Sequence, residues 1–253
     1  MRQLLPITLV ASAVQLAVAP AAAQQAAEPH AEQATQQAWH DATVATFSIV
    51  GFDPATGDMG VAVQSRYFAV GAVVPWGEPD VGVVATQAAV NTGYGPKALR
   101  LLSDGLSPDE VIERLLAEDT FPRLTGRQMA VVDARGRIAV HTGPEASEWA
   151  GHRTGPNFSA QGNILAGPAV VDGMARAFQE TEGELAFKLM AALEAAQEAG
   201  GDRRGQQSAA ILVIRNGGGR GYDNDVYIRL HVDDHPTPIA ELRRLLEMQL
   251  ARR

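Results

Sequence analysis

From Thr46 onward, apolar positions fall into short runs separated by turn-forming residues. Thr46-Phe47-Ser48-Ile49-Val50-Gly51-Phe52 is rich in β-branched and aromatic side chains. Asp53-Pro54-Ala55-Thr56-Gly57-Asp58 has the composition of a turn, and Met59-Gly60-Val61-Ala62-Val63-Gln64-Ser65 returns as a second strand, which predicts a hairpin. Residues 70–75 and 81–87 read as a second pair of strands, joined across Trp76-Gly77-Glu78-Pro79-Asp80. Four short strands in succession with tight turns predict antiparallel pairing rather than a β-α-β crossover.

The period then changes. Pro96 opens a helix through Leu102 that Gly105 ends. Ser107-Pro108-Asp109-Glu110 has the form of a capping box, with proline at the first helical position, and Val111, Ile112, Leu115 and Leu116 follow on one face. A further hairpin is predicted over residues 128–132 and 137–142, with its turn at Asp133-Ala134-Arg135-Gly136. After a glycine-bearing loop, residues 170–180 and 185–199 carry helical spacing, stopped by Gly200-Gly201. Strands at 209–215 and 226–232 and a helix at 238–250 close the chain. Antiparallel strand groups separated by helix pairs predict an α+β protein, a four-layer αββα sandwich of antiparallel sheets that buries both faces of each sheet.

The first residues set the expected compartment. Arg2, an apolar stretch from Leu4 to Val18 and the small residues Ala21-Ala22-Ala23 form a signal-peptide pattern over 1–23, with cleavage before Gln24. The apolar stretch is short for a membrane span. The expectation is a periplasmic or secreted protein. Residues 24–45 are Ala- and Gln-rich and read as a flexible leader or propeptide in which Trp39 and His40 stand out, and 46–253 reads as one domain.

Composition removes several classes of function. The absence of Cys excludes disulfides and a thiol nucleophile. The net charge is −8, and loss of residues 1–23 would remove only the charge of Arg2. No Lys/Arg run offers the clustered cations that nucleic acid needs. The expected partner is a small-molecule or peptide substrate, with no cofactor. Short edge strands are compatible with a homo-oligomer.

Several stretches carry candidate chemistry. Asn91-Thr92-Gly93-Tyr94-Gly95-Pro96 joins a strand to a helix N-terminus, where backbone N–H groups could meet an anion; the alternative is an ordinary tight loop. Gln161-Gly162-Asn163 offers neutral amides that donate without titrating; Asn163 could equally satisfy its own loop. In Asp202-Arg203-Arg204-Gly205-Gln206-Gln207-Ser208, Arg204 could grip a carboxylate with Asp202 orienting it, or the two could form a structural ion pair, and Ser208 could act behind them. Asp233-Asp234-His235 groups hard oxygen with imidazole and is the metal candidate, although Pro236 and the helix beyond also suit a cap. His141 and His152 stand apart from these clusters, and Gly217-Gly218-Gly219-Arg220-Gly221 lacks the ending of a phosphate loop.

Taken together, Thr46-Phe47-Ser48-Ile49-Val50, Ala85-Thr86-Gln87-Ala88, Gln161-Gly162-Asn163-Ile164-Leu165, Gly201-Asp202-Arg203-Arg204-Gly205-Gln206-Gln207-Ser208-Ala209-Ala210 and Val232-Asp233-Asp234-His235-Pro236 resemble the domain of unknown function 1028 family, over roughly residues 46–246. The resemblance implies the N-terminal-nucleophile (Ntn) hydrolase superfamily and its αββα sandwich. It also implies a Thr, Ser or Cys at the head of the first strand that attacks an amide carbonyl, its own α-amine serving as base. Thr46 holds that place, and Ser48 is the alternative on the same strand face. Gly60-Val61-Ala62-Val63-Gln64-Ser65-Arg66 is similar to the second strand of proteasome-type subunits, with Gln64 where those carry Asp, and no Lys lies between Thr46 and Lys97. Thr46 gains a free amine only if Ala45–Thr46 is cut. The expectations from sequence are therefore an exported Ntn-type amide hydrolase, a ligand-binding protein on the same fold, or a metal-dependent hydrolase at Asp233, Asp234 and His235.

Overall fold

A computed structural model describes Thr43, Val44 and residues 46–252. The signal peptide at 1–23, the leader apart from Thr43 and Val44, with its Trp39 and His40, and Ala45 itself lie outside the described residues.

The described chain contains eleven strands and five α-helices. The strands are β1 (Thr43–Val44), β2 (Thr46–Phe52), β3 (Met59–Ser65), β4 (Pro75–Glu78), β5 (Gly82–Ala89), β6 (Arg127–Asp133), β7 (Ile138–Thr142), β8 (Gly151–Gly155), β9 (Phe158–Gly162), β10 (Ser208–Ile214) and β11 (Val226–Val232). The helices are α1 (Tyr94–Ser103), α2 (Pro108–Glu118), α3 (Ala169–Glu180), α4 (Leu185–Glu198) and α5 (Pro238–Leu250). One antiparallel sheet has the order β11-β10-β3-β2-β9-β8. The other runs β1-β5-β6-β7, and β4 also pairs with β5.

Period-two alternation sorts the side chains into layers. On β2, Phe47 and Ile49 pack with Met174, Leu185 and Leu189 of α3 and α4. Val50, one residue on, joins Val61 and Val63 of β3 against Val83, Ala85, Ala130 and Val132 of the second sheet. The outer face of that sheet, with Val84, Met129 and Val131, packs on Ala98 and Leu99 of α1 and on Val111 and Leu115 of α2. Helices, sheet, sheet and helices thus follow one another around three apolar clusters. Gly51 and Gly60 lie on the helix side, where a Cβ would meet Phe178 and Leu189, so helix packing governs these strand glycines.

The capping box at Ser107–Glu110 is found as expected. Ser107 Oγ accepts from Glu110 N and the Glu110 carboxylate accepts from Ser107 N. Three expectations need correction. Residues 70–75 are not one strand: Val70–Ala72 forms a 3-10 turn, and β4 begins only at Pro75 and runs into the stretch read as a turn. The first four strands do not share a sheet, since β2 and β3 belong to one and β4 and β5 to the other. The loop after residue 142 contains the hairpin β8–β9, so Gln161 and Gly162 end a strand. Gly151-His152-Arg153-Thr154-Gly155 is polar because β8 is an edge, and an edge strand needs little apolar sequence.

Candidate active site

Antiparallel pairing gathers Thr46, Asn163, Asp202 and Ser208 at one end of the six-stranded sheet. Thr46, first residue of β2, pairs with Ser65 at the end of β3, and Ser65 pairs with Ser208 at the start of β10. On the other side Phe47 pairs with Gly162, the last residue of β9. Thr46, Ser65 and Ser208 form a row of three buried hydroxyls. Ser208 is spent on the fold, since its Oγ accepts from Val70 N at 3.1 Å and donates to Tyr67 O.

Thr46 is fully buried, and its hydroxyl donates to Val44 O at 2.9 Å. Asn163 N donates to Thr46 O at 3.0 Å. The Asn163 amide Nδ2 faces two acceptors, Gln128 Oε1 at 3.3 Å and Val44 O at 3.5 Å, which fixes which way the amide points. Its Oδ1 is buried and has no partner among the described residues. Gly162 permits this approach, because a Cβ there would lie 2.5 Å from Leu165 and 3.0 Å from Thr46 O. Ile164, the next residue, holds φ 54°, a left-handed conformation that costs a β-branched residue about 1–3 kcal/mol. Hydrogen bonds from Ile164 N to Ser147 O and from Arg203 N to Ile164 O hold it there. Strain beside an amide with an open oxygen is a common mark of a functional position.

Behind Asn163 runs a chain of side-chain amides between the sheets. Ser159 Oγ donates to Gln161 Oε1, Gln161 Nε2 to Ser48 Oγ, Ser48 Oγ to Gln87 Oε1 and Gln87 Nε2 to Gln128 Oε1. Gln128 Nε2 donates to Gly162 O and to Thr142 Oγ1, and Thr142 Oγ1 lies 2.9 Å from His152 Nδ1. Ser48 is therefore held on both sides as a link in this chain. Gln87 and Gln128 escaped the sequence reading. The available signal was Gln87 falling in phase with Val83 and Ala85, which places an amide on an otherwise apolar face.

Asp202 and Arg204 lie at the same sheet end. The buried Asp202 carboxylate accepts from Arg66 N at 3.2 Å and Arg204 N at 2.9 Å. It also takes Arg204 Nε at 3.1 Å and Nη2 at 2.8 Å. Asp202 and Arg204 form an ion pair, and two of the guanidinium's N–H groups are used by Asp202 itself. Gln64 turns to the helix side, with Nε2 3.5 Å from Gly205 O and a buried Oε1 without a partner among the described residues. Gln207 Nε2 donates to Asp234 Oδ1 at 3.1 Å.

Asn91 and Tyr94 belong to a separate buried cluster. Asn91 Oδ1 accepts from Gly93 N and Asn91 O from Tyr94 N, so these loop amides are spent inside the loop. Tyr94 Oη at 2.5 Å and Arg127 Nε at 3.0 Å both donate to Asp119 Oδ2. Burial opposes ionisation of Asp119, yet the bonds from Tyr94 and Arg127 outweigh it and hold the carboxyl below its ordinary range. The Tyr94 phenol is pushed well above its usual value by burial and then by Asp119.

The metal candidates do not converge. Asp234 holds Gln207, and His235 Nδ1 accepts from Thr237 N at 3.0 Å in the loop just before α5, which has no side-chain cap. Among the described residues no three His, Asp or Glu side chains stand where they could share an ion.

His141 and His152 lie close enough to repel. Burial depresses both, His152 further through Arg153 and His141 through His152. Each prefers the neutral form when folded, so its contribution to stability is present above the unfolded value of about 6.5 and is lost as pH falls through the lower folded value. His152→Gln is expected to lose less thermal stability than the parent between pH 7.5 and pH 5, read as the change in Tm; equal losses would remove His152 from this effect.

Comparison with known proteins places the chain. The family of unknown function DUF1028 matches residues 46–242, and the chain belongs to that family. A crystal structure of a protein from Silicibacter pomeroyi in the same family is similar, with a TM-score of 0.73 and 33% identity over 81% of this chain and 85% of that one. No curated protein matches the chain.

Proposed function

We propose that this protein is an exported amide-bond hydrolase of the Ntn type. Its layered sheets and helices form that αββα fold, and Thr46 is the nucleophile once Ala45–Thr46 has been cut. The observation that carries the reading is the setting of Thr46. It opens a central strand, is fully buried, and has Asn163 beside it with an amide that donates toward the same carbonyl as the threonine hydroxyl. The family match also begins at this residue.

In the reaction the freed α-amine takes the proton of Thr46 Oγ1, which attacks the substrate carbonyl and forms an ester as the amine leaves. Water then hydrolyses the ester and restores the hydroxyl. Asn163 Nδ2, which before the cut faces Val44 O at 3.5 Å, donates to the oxyanion as it develops on the carbonyl one residue further along. Gln64 stands where the proteasome-type strand carries Asp, and no Lys precedes Lys97, so the α-amine acts without the Asp and Lys of that type.

A second reading, a binding protein on the same fold, draws on the saturation of the amide chain, in which Ser48, Gln87, Gln128 and Gln161 serve one another. Intact-mass measurement on the purified full chain, with N-terminal sequencing, separates the two. The hydrolase reading expects a chain that begins at Thr46, and a Thr46→Ala chain that keeps the residues before it. A parent chain that retains those residues on long incubation removes the self-cutting mechanism and leaves the binding protein.

A further inference from the structure

Thr43 and Val44, which precede Ala45–Thr46, are themselves bound like a ligand. Thr43–Val44 adds to the edge of β5 as a short antiparallel strand, with Thr43 opposite Ala89 and Val44 opposite Ala88. β4 covers the same edge only from Gly82 to Ala85, so this part of the edge is served by β1. The Val44 side chain is fully buried in the inter-sheet cluster with Val63 and Ala85. Its carbonyl accepts from Thr46 Oγ1 and faces Asn163 Nδ2. Three kinds of contact therefore grip one dipeptide: main-chain pairing, an apolar pocket, and a carbonyl met by the two side chains assigned to the chemistry.

We propose that this groove is the acyl-side subsite of the enzyme. Its substrates are extended peptides that pair with the β5 edge and place a compact apolar residue, such as valine, immediately before the residue whose carbonyl is attacked. The inference rests on the reading of Thr46 as nucleophile. The geometry follows from the order of events in a self-cutting chain. Val44 lies one residue before Ala45, so at the first cut Thr43, Val44 and Ala45 are the acyl half. Thr46 Oγ1 attacks the Ala45 carbonyl, the Thr46 nitrogen leaves as the free amine, and water releases the Ala45 carboxylate. The β5 edge, the pocket and Asn163 stay with the domain, vacated by the first product and shaped for the next acyl half. A strand added to a sheet edge takes its affinity from main-chain hydrogen bonds and its selectivity from side-chain pockets. Until it departs, the leader also blocks the groove, so the uncut chain is inactive toward other peptides.

Intact masses of the parent and of full-length Val44→Asp, followed over time, test the pocket in cis. The cut enzyme, given the 4-nitroanilides of N-acetyl-Thr-Val-Ala and N-acetyl-Thr-Asp-Ala, tests it in trans. Burying an unpaired carboxylate in an apolar pocket is strongly disfavoured, so Val44→Asp is expected to be cut about a hundredfold more slowly, with a similar preference in kcat/KM for the valine peptide. A parent that is never cut overturns the nucleophile and the subsite together. A parent that is cut while Val44→Asp is cut equally fast, or an enzyme that fails to prefer the valine peptide, overturns the subsite and leaves Thr46 standing. The peptides settle the matter should Val44→Asp fail to fold.

Discussion

Arg127→Ala is expected to lower the stability of the domain by about 3 kcal/mol, read as the shift in denaturant midpoint at unchanged slope. Arg127 and the carboxylate of Asp119 are both withdrawn from solvent and meet at 3.0 Å. The guanidinium also donates to Ala89 O and, at 3.1 Å, to Pro122 O. Removing it leaves a buried carboxylate without its counter-charge and takes a donor from the Ala89 and Pro122 carbonyls. The expected loss sits at the low end for breaking a buried pair because Tyr94 and Asn91 still donate to Asp119. Arg114→Ala makes the control. Its partner Glu118 lies one turn away at 3.6 Å, both side chains are more than half exposed, and the expected cost is below about 0.5 kcal/mol. Similar losses for the two variants would mean that Asp119 finds other donors or takes up a proton.

Sequence local to an element was readable wherever local chemistry decided the outcome. The turn at residues 53–58, the Ser107–Glu110 box and the proline-led start of α5 each depend on neighbours within a few residues, and each is found where expected. Ala85-Thr86-Gln87-Ala88 marked the family without revealing its partners, because Gln87 meets Gln128 and Ser48 about forty residues away along the chain. Asn91 and Tyr94 looked like an anion loop for the same reason. Their partner Asp119 stands 28 and 25 residues on, after α2. The β8–β9 hairpin was lost because its outer strand is polar, and β4 because Trp76-Gly77-Glu78 has turn composition while lying on a sheet edge. Gathering Thr46, Ser65, Asn163, Asp202 and Ser208 at one sheet end is a matter of register, which alternation constrains but strand order alone completes.

Asn163→Ala is expected to slow exposure of the Thr46 amine by about 10²–10³-fold, the usual cost of one oxyanion donor, while leaving the domain folded. The side-chain bonds lost are long, 3.3 Å to Gln128 Oε1 and 3.5 Å to Val44 O. Gln128 Oε1 keeps Gln87 Nε2 at 2.8 Å, so the ground state should lose no more than about 1 kcal/mol. The link that positions Thr46 is the main-chain bond from Asn163 N to Thr46 O, which alanine retains. A rate effect far larger than the stability effect would therefore isolate a donor that matters more when charge develops on the attacked oxygen than before the attack. Asn163→Asp sharpens the comparison: it keeps the shape of the side chain, lacks the donor, and turns a negative charge toward Val44 O, so it should be at least as slow as alanine. The rates come from intact mass over time, with Asn216→Ala, which removes an exposed bond to Asp80, as the variant that should match the parent. Cutting of Asn163→Ala at the parent rate would confine Asn163 to its backbone contact, and the oxyanion donor would have to be sought among the main-chain N–H groups at the same sheet end.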